Sequence, residues 1–260
     1  MNLSLPINPF RPVRWLLSSL SLMLLPLLGW GQVSISNSTV PLTYSQDFNG
    51  LPASNGTFND NSTIPGVYAQ RSAGGNTITA NMGNSTAGDL YSFGTGTATE
   101  RALGSVGSSG TGGFAYGIQF VNNTTSPIKS ITLTYTGEQW RNGGDGAAQV
   151  IDFSYQVSAS VITVLAPRST ALTSPTTTAP TPSGYTAVPA LNFTSPVVTA
   201  TPGALDGNAA ANRTTLTAII TVNIPVGSYL MLRWGDPDHS GADDGLAIDD
   251  VTAIFTTSTL

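Results

Sequence analysis

Ile131-Thr132-Leu133-Thr134-Tyr135-Thr136 alternates large apolar residues with threonine. A period of two places Ile131, Leu133 and Tyr135 on one face of a β-strand and three hydroxyls on the other. β-Branched and aromatic residues suit a pleated, half-buried surface, so the stretch predicts a strand with a core side and a solvent side. Phe114, Tyr116, Ile118 and Phe120 repeat the pattern upstream. Ile151, Phe153, Tyr155 and Val157 repeat it downstream, opposed by Asp152, Ser154, Gln156 and Ser158. Leu216, Ala218, Ile220, Val222 and Ile224 form a fourth alternation, ended by Pro225-Val226-Gly227. Residues 228–234 and 246–255 are apolar on both sides and read as central strands. No amphipathic helix pattern follows residue 31. Alternating strands separated by turn clusters predict an all-β fold, an antiparallel two-sheet β-sandwich.

Two segments read as looser. Residues 49–112 are rich in Gly, Asn, Ser and Thr and are expected to form long surface loops. Residues 166–184 are a Thr/Pro tract, read as an inserted loop within one domain rather than as a linker between two. Too few residues follow it for a second large sandwich.

The composition excludes several function classes. Only 9% of the 260 residues are charged, and the hydrophobic fraction of 40% is enough for a core. The net charge is −5 and Lys129 is the one lysine, so a phosphate-neutralising, nucleic-acid-binding surface is not expected. The absence of cysteine removes disulfides, zinc-thiolate sites and Cys nucleophiles. Arg11 and Arg14 precede an apolar run from Trp15 to Leu28, followed by Gly29-Trp30-Gly31. A basic segment, a short apolar core and small residues at −3 and −1 of a cut after Gly31 predict a signal peptide at residues 1–31. Ser18, Ser19, Ser21 and Pro26 interrupt the run, which is shorter than the ~20 residues of a membrane span. The mature chain, 32–260, is expected as a single exported domain without a transmembrane span, secreted or at a bacterial cell surface.

Chemistry concentrates in one acidic stretch. Asp236, Asp238, Asp243, Asp244, Asp249 and Asp250 crowd within fifteen positions, and crowded carboxylates repel unless solvent or a cation relieves them. Asp236-Pro-Asp238-His-Ser240-Gly241, with Asp244, fits early positions of a calcium loop, but Ala247 stands where the bidentate Glu belongs. An EF-hand is thereby rejected; a hard-cation site built from loop and strand carboxylates is retained beside a plain solvated acidic turn. His239 reads as a turn residue. Glu100 with Arg101, and Glu138 with Arg141, read as structural ion pairs, leaving no acid/base pair for glycoside hydrolysis. No GxSxG, Gly-Lys-Ser/Thr or HExxH motif occurs, and the chain is expected not to be an enzyme. Tyr116, Tyr135 and Tyr155 read as core. Trp140 and Arg141, beside the turn Asn142-Gly143-Gly144-Asp145-Gly146, are the candidate ligand-binding pair.

Three passages, 131–141 with its Gly137-Glu138-Gln139-Trp140, 204–214 with its Leu205-Asp206-Gly207-Asn208, and 240–251 with its Ala247-Ile248-Asp249-Asp250-Val251, together resemble a jelly-roll module of secreted bacterial surface proteins. The resemblance spans residues 44–256. The last motif, with Tyr44-Ser-Gln-Asp47-Phe48, is also similar to MAM-type and carbohydrate-binding jelly rolls, of concanavalin A-like or galactose-binding-like form. It implies a structural calcium between the first and last strands, held by Asp47 and by Asp249 or Asp250. The metal candidates are therefore Asp47, Asp236, Asp238, Asp244, Asp249 and Asp250. The expected function is a non-catalytic exported module, structural, adhesive or glycan-binding, with extracellular glycan or cell-surface components as partners. The alternative is an accessory module of an extracellular nuclease or glycanase system whose catalytic domain lies elsewhere.

Overall fold

A computed structural model of the chain describes residues 1, 32–37, 42–96, 98–174 and 178–257. The expected export signal falls almost wholly on residues 2–31, outside the described residues. In chain order the strands are β1 (Val33–Ile35), β2 (Leu42–Gln46), β3 (Gly56–Thr57), β4 (Val67–Arg71), β5 (Thr77–Asn81), β6 (Asp89–Phe93), β7 (Ala102–Val106) and β8 (Phe114–Asn122). They continue with β9 (Ile128–Asn142), β10 (Val150–Ser158), β11 (Thr186–Ala187), β12 (Phe193–Thr194), β13 (Gly203–Ala204), β14 (Arg213–Ile224), β15 (Tyr229–Asp236) and β16 (Gly245–Thr256). One sheet runs β1-β8-β15-β10-β11, with β4 also on β8 and β12 on β10. The other runs β13-β9-β16-β7-β6-β5-β3, with β14 also on β9 and β2 on β16. From β8 to β10, and again from β14 to β16, the chain changes sheet at each step, which is jelly-roll connectivity in a two-sheet sandwich. Two pairings, β1 with β8 and β5 with β6, are parallel, so the sandwich is not antiparallel throughout.

The alternation in the sequence sets the core. Tyr116, Ile118 and Phe120 on β8, Ile131, Leu133 and Tyr135 on β9, Phe153 on β10 and Ile248 on β16 are all buried between the sheets. Trp234 of β15 stands at their centre, edge-on to Tyr135 at 5.5 Å and to Phe153 at 5.2 Å. Each such side chain contributes about 1.5–3 kcal/mol by leaving water.

Residues 49–112 are not simply loops. They contain β3 to β7, and every residue of β7 is buried. Glycine is needed for close approach at Gly104. A Cβ at Gly104 would lie 2.3 Å from Leu246 O and 2.7 Å from Ala247 Cβ, so only hydrogen fits where β7 meets β16. Tyr91 and Phe93 of β6, Ala102 and Val106 of β7, Trp140 of β9 and Ala247 of β16 make a second apolar cluster on the outer face of that sheet.

The chain leading into the Thr/Pro tract lies across the outer face of the other sheet. Leu165 is fully buried against Tyr68, Ala115, Ile162 and Met231. It sits over Gly117, whose Cβ would come within 2.7 Å of Leu165 Cδ2. Gln70 accepts from Leu165 N at 2.9 Å and donates to Thr163 O at 2.8 Å, and Arg233 Nε donates to Leu165 O at 2.6 Å.

Candidate metal centre

The three passages that carry the resemblance meet at one place on the outer face of the second sheet. Glu138 and Trp140, two residues apart on β9, share a face, as strand geometry requires. Ala247 of β16 pairs with Glu138, and Asp249 lies two residues further along the same face. Beyond Asp249 the β9–β16 ladder shifts register, and Asp250 takes a left-handed φ of 51°. This bulge lets consecutive aspartates diverge, with Asp249 buried and Asp250 exposed. The passage 204–214 forms the roof. Gly207 lies so close to Trp140 that a Cβ would come within 2.3 Å of the indole Nε1. Asn208 Nδ2 donates to Glu100 Oε2.

Oxygens of Glu100, Glu138 and Asp249 converge here, all within 4.8 Å of one another. Trp140 Nε1 donates to Glu138 Oε2 at 2.9 Å, which leaves Oε1 of Glu138 without a hydrogen-bond donor. Glu100 Oε1 and Asp249 Oδ1 are likewise buried and without a donor. Arg213 Nη1 stands 3.9 Å from Glu138 Oε1, beyond hydrogen-bonding reach, and its side chain is 40% exposed. Buried Arg101 also acts electrostatically on Glu100, so two cations stand against three carboxylates. Burial, and then the neighbouring carboxylates, push Asp249 up to about 9. Burial pushes Glu138 up to about 7 against the opposing Trp140 hydrogen bond. Burial and crowding thus favour the protonated form of Asp249 above all when no cation is bound.

The donor set fits a hard divalent cation. Calcium takes oxygen ligands at roughly 2.3–2.6 Å, so oxygens up to about 5 Å apart can share one ion. Three carboxylate oxygens lying within 4.8 Å of one another meet that limit. With only oxygen donors in the group, zinc and other metals that favour nitrogen or sulfur are poorly served.

No protein-family model matches the chain, and no curated protein matches it. Among solved structures it is similar to TmCBM61, solved in complex with beta-1,4-galactotriose, at 8% identity over 74% of this chain and 88% of that one, with a TM-score of 0.30. It is also similar to the K1 cleaved adhesin domain of Lys-gingipain (Kgp) from Porphyromonas gingivalis W83, at 15% identity over 84% of this chain and 99% of that one, with a TM-score of 0.30. At these values neither likeness assigns a ligand or an activity.

The six aspartates expected from the sequence fall into three places: Asp236, Asp238 and Asp244 around the β15–β16 loop with Asp243 between them, Asp47 with Asp250 at the surface, and Asp249 in the buried group. Asp236 is buried, takes a hydrogen bond from Ser105 Oγ, and is raised far above the carboxylate range by burial. Asp238 lies in the β15–β16 loop beside Asp243. Asp244 braces that loop, accepting from Gln139 Nε2 at 3.0 Å and from Gly143 N at 2.7 Å. Asp47 and Asp250 line one shallow surface cavity of about 280 Å³ with Ser45, Gln46, Val251 and Thr252. Only Asp249 joins the buried cluster.

The sequence pairs Glu100 with Arg101 and Glu138 with Arg141. Arg101 Nη2 donates to Gly96 O at 2.7 Å while its charge acts on Glu100, whereas Arg141 Nη1 donates to Gly83 O at 3.3 Å and Arg213 is the cation beside Glu138. Trp140 is fully buried and stacked on Phe93 at 5.7 Å and 4°, so its indole offers no open face to a ligand. Arg141 is half-buried and lines a groove of about 600 Å³ with Ser108, His239 and Asp243. His239 is buried, accepts Val150 N at Nε2 at 3.3 Å, and turns Nδ1 toward Asp243 Oδ1 at 3.4 Å. That arrangement fixes the ring as a structural bracket.

Proposed function

We propose that the protein is an exported, non-catalytic β-sandwich module, structural, adhesive or glycan-binding, whose second sheet is clamped by calcium at Glu100, Glu138 and Asp249. One observation carries the reading: three carboxylates bring an oxygen each within 4.8 Å of the others, and each also has a buried oxygen without a donor. An ion there ties the approach to β7, the C-terminal third of β9 and the first half of β16, and through Asn208 it holds the roof. A clamp of this kind stiffens a sheet without offering chemistry. The carboxylates of the group are largely enclosed, and the sole histidine accepts Val150 N at Nε2 with Nδ1 facing Asp243, an arrangement that reads as structural. Low charge and a hydroxyl-rich surface suit a module working outside the cell.

The test is a thermal melt of purified protein with chelator, calcium or magnesium, paired with a glycan array run with and without calcium. A cation that binds only the folded state raises stability by RT ln(1 + [L]/Kd), about 2.7 kcal/mol at a hundredfold excess over Kd. Calcium should restore what chelator removes, and magnesium should do so poorly because it demands a tight octahedron. Melts indifferent to calcium would overturn the clamp. Turnover of a glycan or nucleic acid by the purified chain would overturn the non-catalytic reading.

A further inference from the structure

β14 is a 12-residue edge strand with one charged residue, Arg213, at its start. Its inner edge pairs with β9 from Arg213 opposite Glu138 to Ile224 opposite Ile128, and the register shifts only between Thr221 and Ile224. Among the described residues no strand pairs with its other edge. The 3-10 turn Pro189–Leu191 packs beneath it, but Leu191 N and Asn192 N turn back to Val188 O and Pro189 O. Natural edges are blunted by lysine, proline, bulges or shortness, and residues 214–221 have none of these. Leu216 and Ala218, which point to the core, remain only partly buried, and Ile219 on the outer side is 59% exposed. This edge leaves both backbone and apolar surface uncovered.

We propose that β14 pairs with β14 of a second copy of this chain, antiparallel about a two-fold axis at Ala218, so that the sheet runs on through a dimer. The alternation of the strand limits the two-fold to a residue position, and Ala218 lies at the centre of the uncovered stretch 214–221. Centred on Ala218, Leu216 faces Ile220 of the second copy, Thr215 faces its Thr221, and Thr217 faces its Ile219. Core residues meet core residues and outer residues meet outer residues. A slip of one residue would set apolar side chains against hydroxyls on the wrong face. Arg213 meets Asn223 of the second copy, so no like charges are opposed. The contact is isologous and closes at two copies. Strand pairing alone buries less than a permanent dimer needs, so the association depends on concentration.

Sedimentation velocity over a concentration series should show reversible dimerisation. Ile219→Lys should return the protein to monomer without altering its melt. The chain has no cysteine, so Ala218→Cys introduces a single thiol opposite its own copy. Opposed residues in antiparallel strands lie about 4.5–5.5 Å apart, within disulfide range, so mild oxidation should give a covalent dimer. Thr221→Cys, opposite Thr215 of the second copy, should not cross-link. A wild type that stays monomeric at every concentration, a dimer untouched by Ile219→Lys, open-ended polymers, or cross-linking at Thr221→Cys instead of Ala218→Cys would each overturn the proposal.

Discussion

Trp140 donates its indole N–H to Glu138 Oε2 from two residues along the same strand, at 2.9 Å. The bond fixes the orientation of a fully buried carboxylate whose other oxygen has no donor, in a group shared with Glu100 and Asp249. Stacking on Phe93 and the close approach of Gly207 hold the indole in turn. The aromatic cluster on the outer face is thereby the support of the carboxylate group.

Removing charge from this group should separate its two states. Glu138→Gln and Asp249→Asn should abolish the calcium-induced rise in melting temperature. In chelator, Asp249→Asn should melt at or above wild type, because it removes a crowded carboxylate from a site without a cation. Asp250→Gly, which keeps the left-handed bulge, should retain the calcium response. Asp60→Ala, away from the site, is the control. A calcium response surviving in both Glu138→Gln and Asp249→Asn would move the ion elsewhere, and the surface cavity at Asp47 and Asp250 would then be the place to look.

The same crowding sets a pH dependence in chelator. The folded pKa values of Glu138, about 7, and Asp249, about 9, lie above the ordinary carboxylate value near 4. Asp152 and Asp244 are also raised, each to about 6, chiefly by burial. A raised carboxylate pKa means the fold prefers the protonated acid. Its contribution is complete below about pH 4 and is lost as pH rises through the folded value. Denaturant midpoints without calcium should therefore fall between about pH 5 and about pH 9, and saturating calcium should flatten the fall. A midpoint that rises with pH in chelator would contradict the assignment.

The strand pattern was legible in the sequence because alternation reports which face is buried. Tyr116, Tyr135, Leu133 and Phe153 follow it residue for residue. β4 to β7 are hard to read because they are short, and Gly104 is small for a reason of close approach that only the neighbouring β16 reveals. The site was half legible. Asp249 was named, and the passages containing Glu138, Trp140, Gly207 and Asn208 were marked as a set. Chain proximity alone does not show how the aspartates divide: Asp236, Asp238, Asp243 and Asp244 stay together around the β15–β16 loop, while strand faces and the bulge part Asp249 from Asp250. Glu138 and Trp140 at a spacing of two were the available signal for a shared face, and Arg141 three residues on was the wrong partner.

Gly207→Ala tests the roof. Its Cβ would fall 2.3 Å from Trp140 Nε1 and 2.4 Å from Cε2, so the indole or the roof must move. Overpacking of this kind costs about 1–3 kcal/mol. The displaced roof carries Asn208, so the bond to Glu100 should loosen and calcium affinity should fall with stability. Isothermal titration of calcium into Gly207→Ala and Asn208→Ala measures both effects. Wild-type affinity in the two variants would confine the roof to packing.

The covering of the opposite sheet gives the last test. Leu165 is fully buried over Gly117, whereas its neighbour Val164 is 64% exposed, although both belong to the same extended segment. Leu165→Ala should cost about 2–5 kcal/mol, because the cavity lies against a rigid sheet that cannot collapse to fill it. Val164→Ala should cost little. The segment is also held by polar bonds, since Gln70 and Arg233 bind its backbone at Thr163 and Leu165. Loss of the leucine should therefore loosen the segment before the sandwich unfolds. Arg168 follows directly, and its carbonyl accepts Gly113 N at 2.9 Å, which ties the trypsin site to the sheet. Limited trypsinolysis at native temperature should cut after Arg168 faster in Leu165→Ala than in wild type or Val164→Ala, while far-UV circular dichroism stays β-rich. Equal cutting rates in all three proteins would mean that the polar bonds alone hold the segment, and Gln70→Ala should then release it.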